Sequence, residues 1–137
     1  MTGACDIVRM ANTGPGFYPL LGPYLASRQV AADLGEQPWD DPGKTWWVMA
    51  PGGAVAGFAA AADLGTHLAW CSAWTAPAWR GKGVWSALAA GRDTAAAGRE
   101  VRVLCRPVLE AAYLRMGFTV TGRTAGYARM RRQSLAG

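Results

Sequence analysis

Ten residues near the middle of the chain, Thr75-Ala76-Pro77-Ala78-Trp79-Arg80-Gly81-Lys82-Gly83-Val84, lead from a strand-like run into a helical one. Glycines at 81 and 83 let a backbone come close to a bulky ligand, and the first amides of a helix are unpaired donors aligned with its dipole. That combination can cradle a pyrophosphate, with Arg80 and Lys82 adding positive charge beside it. A glycine-rich loop alone also describes a plain strand-to-helix turn, so the surrounding residues decide. Just upstream, His67-Leu68-Ala69-Trp70-Cys71-Ser72-Ala73-Trp74-Thr75 holds two reactive side chains. Alternation puts residues 67, 69, 71, 73 and 75 on one face, so His67, a candidate base, would share it with Cys71. No base or cation stands locally to turn Cys71 into a thiolate, which points to a buried structural cysteine.

The elements that must position these residues follow from periodicity. Ile7-Val8-Arg9-Met10 reads as a short strand ended by Asn12-Thr13-Gly14-Pro15-Gly16. Between Phe17 and Leu34, Tyr18, Leu21, Tyr24 and Leu25 recur at helical spacing, with Pro23 expected to split the stretch into two helices. Residues 35–44, dense in Gly, Pro and Asp, read as a loop. Residues 46–50, 54–60 and 67–75 read as an antiparallel meander, its first two strands joined at Pro51-Gly52-Gly53. In the helix after the glycine loop, Val84, Ala87, Leu88, Gly91 and Ala95 fall on one face, with Arg92 and Asp93 turned away. Residues 101–105 form a strand, 107–116 a helix stopped by Gly117, and 118–132 two strands turning at 122–126.

These residues resemble the GNAT N-acetyltransferase superfamily, whose acyl-CoA signature is Arg or Gln, two residues, Gly, one residue, then Gly or Ala. Arg80, Gly83, Pro77 and the strand ending at Thr75 match it, and Tyr113-Leu114-Arg115-Met116-Gly117-Phe118 looks like the family's Tyr-x-x-x-Gly-Phe segment. The resemblance covers nearly the whole chain. It implies a single α+β domain over residues 1–137, with a mixed, mostly antiparallel sheet of six to seven strands and about four helices on its faces. It also implies acetyl-CoA as co-substrate. The amides of Gly81, Lys82, Gly83, Val84, Trp85 and Ser86 and the side chain of Arg80 are expected on the pyrophosphate, and backbone atoms of Ala73, Trp74 and Thr75 on the pantetheine arm. Arg106 falls where the family often has an Asn on the cofactor, and is expected either on a CoA phosphate or at the surface. The implied reaction is direct attack of an amine on the thioester, with Tyr113 protonating the departing thiolate. Two departures stand out. The last small residue of the signature is replaced by Trp85, whose ring must point away from the cofactor or narrow its pocket. The Glu that the family often uses as base is missing from the strand ending at Thr75, which leaves His67, Asp63 or ordered water.

Length and composition agree with one globular domain: 137 residues, 51% hydrophobic and 17% charged, enough to bury roughly two-thirds of the unfolded chain's surface. Residues 1–63 carry a net charge of −3 and residues 64–137 one of +8, so an anionic ligand belongs with the second half. Cys5, Cys71 and Cys105 are odd in number and far apart, and His67 is the lone histidine, so neither a disulfide framework nor a metal site is expected. The first residues lack the basic segment and apolar core of a signal peptide, and Pro51-Gly52-Gly53 splits the uncharged stretch 45–62. A cytoplasmic protein without a membrane span is expected, with a homodimer open. Gly43-Lys44-Thr45 imitates the end of a phosphate-binding P-loop, but Pro38 stands where its first glycine is needed. The seven tryptophans and the Arg129, Arg131, Arg132 cluster keep two alternatives in view: modification of a nucleic-acid base, and a non-catalytic acyl-CoA-binding module. The acceptor pocket is expected from residues 14–35 and the 119–127 hairpin.

Overall fold

The computed structural model describes residues 7–135. The first six residues, which include Cys5 and bear on the signal-peptide expectation, lie outside the described residues. Among the described residues, seven strands form one sheet: β1 Ile7–Met10, β2 Lys44–Met49, β3 Gly57–Asp63, β4 Leu68–Thr75, β5 Val101–Cys105, β6 Thr119–Thr124 and β7 Tyr127–Arg132. Their order is β1-β2-β3-β4-β5-β7-β6, antiparallel throughout except between β4 and β5. Helices α1 Phe17–Leu25 and α2 Arg28–Leu34 pack on one face, α3 Val84–Ala96 and α4 Glu110–Arg115 on the other. This is the α+β arrangement the sequence predicts.

Alternation along the central strands fills both cores. Trp46 and Val48 join Phe17, Leu21 and Phe58 beneath α1, while Trp47 and Met49 join Leu88 and Trp70 beneath α3. Pro23 does not divide the first helical region, since α1 runs through it. The break comes at Ser27, whose backbone is extended and whose Oγ accepts from the Val30 N–H at 3.2 Å, a cap that starts α2. β3 begins at Gly57 rather than Ala54, because Pro51–Gly53 forms a tight 3-10 turn before the chain rejoins the sheet. Thr124 faces Tyr127 across a two-residue turn in which Ala125 and Gly126 both have positive φ, the geometry that matches strand twist in a hairpin.

The reading of α3 needs correction. Its buried stripe is Val84, Leu88, Arg92 and Ala96, a four-residue repeat, and Ala95 is exposed. Arg92 therefore points into the protein, 1% exposed, instead of away from it.

Carboxylates tie the surface together and set an acid limit. Asp63 is held well below the usual carboxylate range by Arg99, then by the Gly65 N–H. Arg102 and Arg131 lower Glu100, Arg123 lowers Glu110, and Trp74, Gln29 and Arg80 lower Asp33. A carboxyl whose folded value is depressed stabilises fully above its unfolded value, about 4, and loses that contribution as pH falls through the folded value. The thermal midpoint is therefore expected to hold between about pH 5 and 7 and to fall steeply below about pH 4. A midpoint unchanged down to about pH 2 would contradict this set of pairings.

Candidate active site

β4 and β5 pair only from Leu68 opposite Val101 to Trp70 opposite Val103. Beyond Trp70 they part, and the cause lies in β4. Cys71 pairs with Ala60 but Trp74 pairs with Phe58, so β4 carries one extra residue there, with Ser72 at φ +53°. Such a bulge bends its strand and increases local twist. It also overturns the simple alternation. Cys71 and Trp74, three residues apart, both face the α1/α2 core, while Trp70 and Ala73 face the α3 side. Burial pushes the Cys71 thiol up, as suits a packing residue.

A cavity of about 620 Å³ fills the splay, walled by β4 from Trp70 to Thr75 and by the chain from Val103 to Arg106. At one end stands the start of α3. Gly83, at φ +84°, caps the helix with no side chain in the way. The first helical bond runs from the Ala87 N–H to the Gly83 carbonyl, which leaves the N–H groups of Val84, Trp85 and Ser86 before it as donors. Gly81 also lines this end, and the Lys82 ammonium lies over the Trp79 ring. Arg80 latches the loop: its Nε donates to the Thr75 carbonyl at 3.1 Å and its Nη2 to Asp33 Oδ2 at 3.0 Å. The same Asp33 oxygen accepts from Trp74 Nε1 at 3.1 Å, which ties α2 to β4.

At the inner end lies Tyr113, from α4, 1% exposed. Its ring meets Trp85 edge-on at 5.4 Å and Phe118 at 5.3 Å. Trp85 thus turns into the cavity and narrows it. The Tyr113 hydroxyl oxygen accepts from Arg92 Nη2 at 3.2 Å. Arg92 Nη1 donates to the Ala60 carbonyl at 3.1 Å and to the Cys71 carbonyl at 3.5 Å, both beside the bulge. An irregularity in one strand and the tyrosine of a distant helix are therefore held by a single guanidinium.

Two contacts tie the α2 end to the strands beyond the splay. Arg106 Nη2 donates to the Ala32 carbonyl at 3.1 Å and the Tyr127 hydroxyl to the Gly35 carbonyl at 3.3 Å. Of the expected acceptor segments, the cavity takes Ala32, Asp33, Leu34 and Tyr127. Gly35 permits both contacts, with φ +79° and both side chains pressed on it: a Cβ there would stand 2.1 Å from Tyr127 Oη and 2.7 Å from Arg106 Nη2. Gly35→Ala is expected to destabilise the protein by about 1–2 kcal/mol in denaturant unfolding. An unchanged unfolding midpoint would mean that these two contacts carry no weight.

Two proposed bases stand elsewhere. His67 precedes β4, its Nδ1 2.8 Å from Thr66 Oγ1, and lies outside the cavity lining. Asp63 is occupied by both outer nitrogens of Arg99. A carboxylate missed in the sequence does line the cavity: Glu36, just after α2, exposed and with no salt-bridge partner among the described residues. Nothing local in the sequence marks it, because α2 reaches β4 only through the tertiary fold.

Among the described residues no helix is long and apolar enough to cross a membrane, and no three His, Cys, Asp or Glu side chains are grouped to hold a metal ion. A search of curated protein sequences returned no match. The fold has many solved counterparts. Escherichia coli ElaA is similar at TM-score 0.76 and 12% identity, covering 93% of this chain and 99% of that one. An acyl-CoA N-acyltransferase from Pseudomonas aeruginosa is similar at TM-score 0.74 and 18% identity, over 93% and 98%. The PaiA N-acetyltransferase of Thermoplasma acidophilum, solved with coenzyme A, is similar at TM-score 0.63 and 10% identity, over 93% and 99%. The profile of the acetyltransferase (GNAT) family matches residues 15–118. The chain belongs to the GNAT acetyltransferase family.

Proposed function

We propose that this protein transfers an acetyl group from acetyl-CoA to an amine by direct attack. The observation that carries this reading is the splay itself, with free donors of α3 at one end and a buried tyrosine hydroxyl at the other. The residues suit the co-substrate. The N–H groups of Val84, Trp85 and Ser86 receive the pyrophosphate, with Gly81 and Gly83 allowing close approach. The edge of β4 that β5 leaves unpaired, Ala73 to Thr75, receives the amides of the pantetheine arm. Acetyl-CoA supplies an activated thioester carbonyl.

This chain's own groups then handle the protons. Glu36 takes the proton released as the amine nitrogen bonds to the acyl carbon, directly or through water. Unpaired N–H groups along β4 stabilise the oxyanion. As the carbon–sulfur bond breaks, the Tyr113 hydroxyl gives its proton to the thiolate, while Arg92 donates to the phenol oxygen throughout. His67 has no part in this scheme. The test is release of free CoA thiol from acetyl-CoA in the presence of a panel of primary amines. Amine-dependent release that falls in Glu36→Gln is expected. Release that is slow and indifferent to every amine would contradict acetyl transfer and favour a binding module.

A further inference from the structure

The inner end of the cavity holds donors that have nothing to donate to. Arg92, Trp70 and Trp85 all line it, and the buried Arg92 Nε, Trp70 Nε1 and Trp85 Nε1 each lack a hydrogen-bond partner among the described residues. Arg92 has five N–H groups and uses three, on the Ala60 carbonyl, the Cys71 carbonyl and the Tyr113 oxygen. One N–H on Nε and one on Nη2 remain. The guanidinium sits 4.5 Å from the Trp70 ring centroid, and no carboxylate among the described residues lies within ion-pair distance of it. A buried cation held only by neutral groups is costly, and a protein normally pairs it. The other two cavity arginines are committed elsewhere, Arg80 to Asp33 and Arg106 to the Ala32 carbonyl.

We propose that Arg92 is the receptor for a carboxylate carried by a substrate, on the acyl chain or on the amine acceptor. A single guanidinium balances a monoanion, and two spare N–H groups are what a carboxylate accepts. The flanking tryptophan N–H groups are further donors. Arg92 also touches the Tyr113 hydroxyl, so a carboxylate bound here lies within a few bonds of the reacting carbonyl. Holding the bulge and Tyr113 accounts for three of the five N–H groups and leaves the other two, and the tryptophan donors, without a role. The inference rests on the acyl-transfer reading above.

The test has two arms, both on the full chain. In the first, CoA, butyryl-CoA and succinyl-CoA, the last two alike in chain length and different in charge, are titrated by calorimetry. In the second, thiol release from acetyl-CoA is compared between amino acids and their amides. Each is repeated in Arg92→Met, and in Arg92→Lys, which keeps the charge without the fork. In one arm, the wild type is expected to favour the carboxylate about ten- to a hundredfold. Arg92→Met should abolish that preference and Arg92→Lys reduce it. The arm that responds identifies which substrate carries the group. Equal behaviour of charged and neutral ligands in both arms overturns the inference, as does a preference undiminished in Arg92→Met, or in Arg92→Lys if the methionine variant does not fold. Failure of CoA itself to bind the wild type would sink the acyl-transfer reading and this inference together, whereas CoA binding without a carboxylate preference sinks the inference alone.

Discussion

Tyr113→Phe is expected to lower kcat for acetyl transfer by roughly 10²–10⁴ while leaving KM for acetyl-CoA within a few-fold. The ring of Tyr113 packs among Trp85, Trp70 and Phe118, and phenylalanine keeps all of that apolar contact. What goes is the hydroxyl, and with it one acceptor of the buried Arg92. A hydrogen bond to a charged group contributes about 1.5–3 kcal/mol, so a lower unfolding midpoint should accompany the kinetic loss without preventing folding. A folded variant of normal kcat would remove Tyr113 from the chemistry and leave it a core residue.

The second large effect is on binding. Gly83 caps α3 at φ +84°, where no Cβ would touch a neighbouring atom, so the protein itself leaves the space above it open. Gly83→Val puts a branched side chain in a conformation that only glycine adopts easily, at the place where phosphate oxygens would meet the helix N–H groups. The affinity for CoA is expected to fall at least a hundredfold, while circular dichroism stays near wild type because the position is exposed. Undiminished CoA binding by this variant would move the pyrophosphate away from the start of α3.

These effects trace how far the sequence could be read. The glycine loop, the strand before it and the helix after it depend on local chemistry, namely turn residues, alternation and helical spacing, and they stand where the sequence puts them. Tyr113 and Phe118 likewise sit in one short segment whose spacing carries their placement. The departures begin with the bulge at Ser72. A non-glycine residue at positive φ inside an apolar strand leaves no compositional trace, yet it flips every side chain beyond it and opens the sheet. His67 stands outside the cavity lining although Cys71, on the same strand face, is part of it, because a shared face says nothing about position along the strand. The sequence turns Arg92 outward, since charge normally faces water. It faces inward because carbonyls at the bulge and the Tyr113 hydroxyl await it there, partners that lie 21 and 32 residues away. Glu36 reaches the cavity only because α2 packs against β4. Pro23 shows the smaller version of the same lesson, in which a residue that often breaks helices is carried through while Ser27 does the breaking.

The central claim is that the splayed strands hold acyl-CoA, and calorimetric titration of the wild-type protein with acetyl-CoA tests it most directly. Binding in the micromolar range at one molecule per chain is the predicted result. No detectable heat and no rise in thermal midpoint at millimolar acetyl-CoA would contradict it, and would mean that Trp85 closes the cavity to this co-substrate.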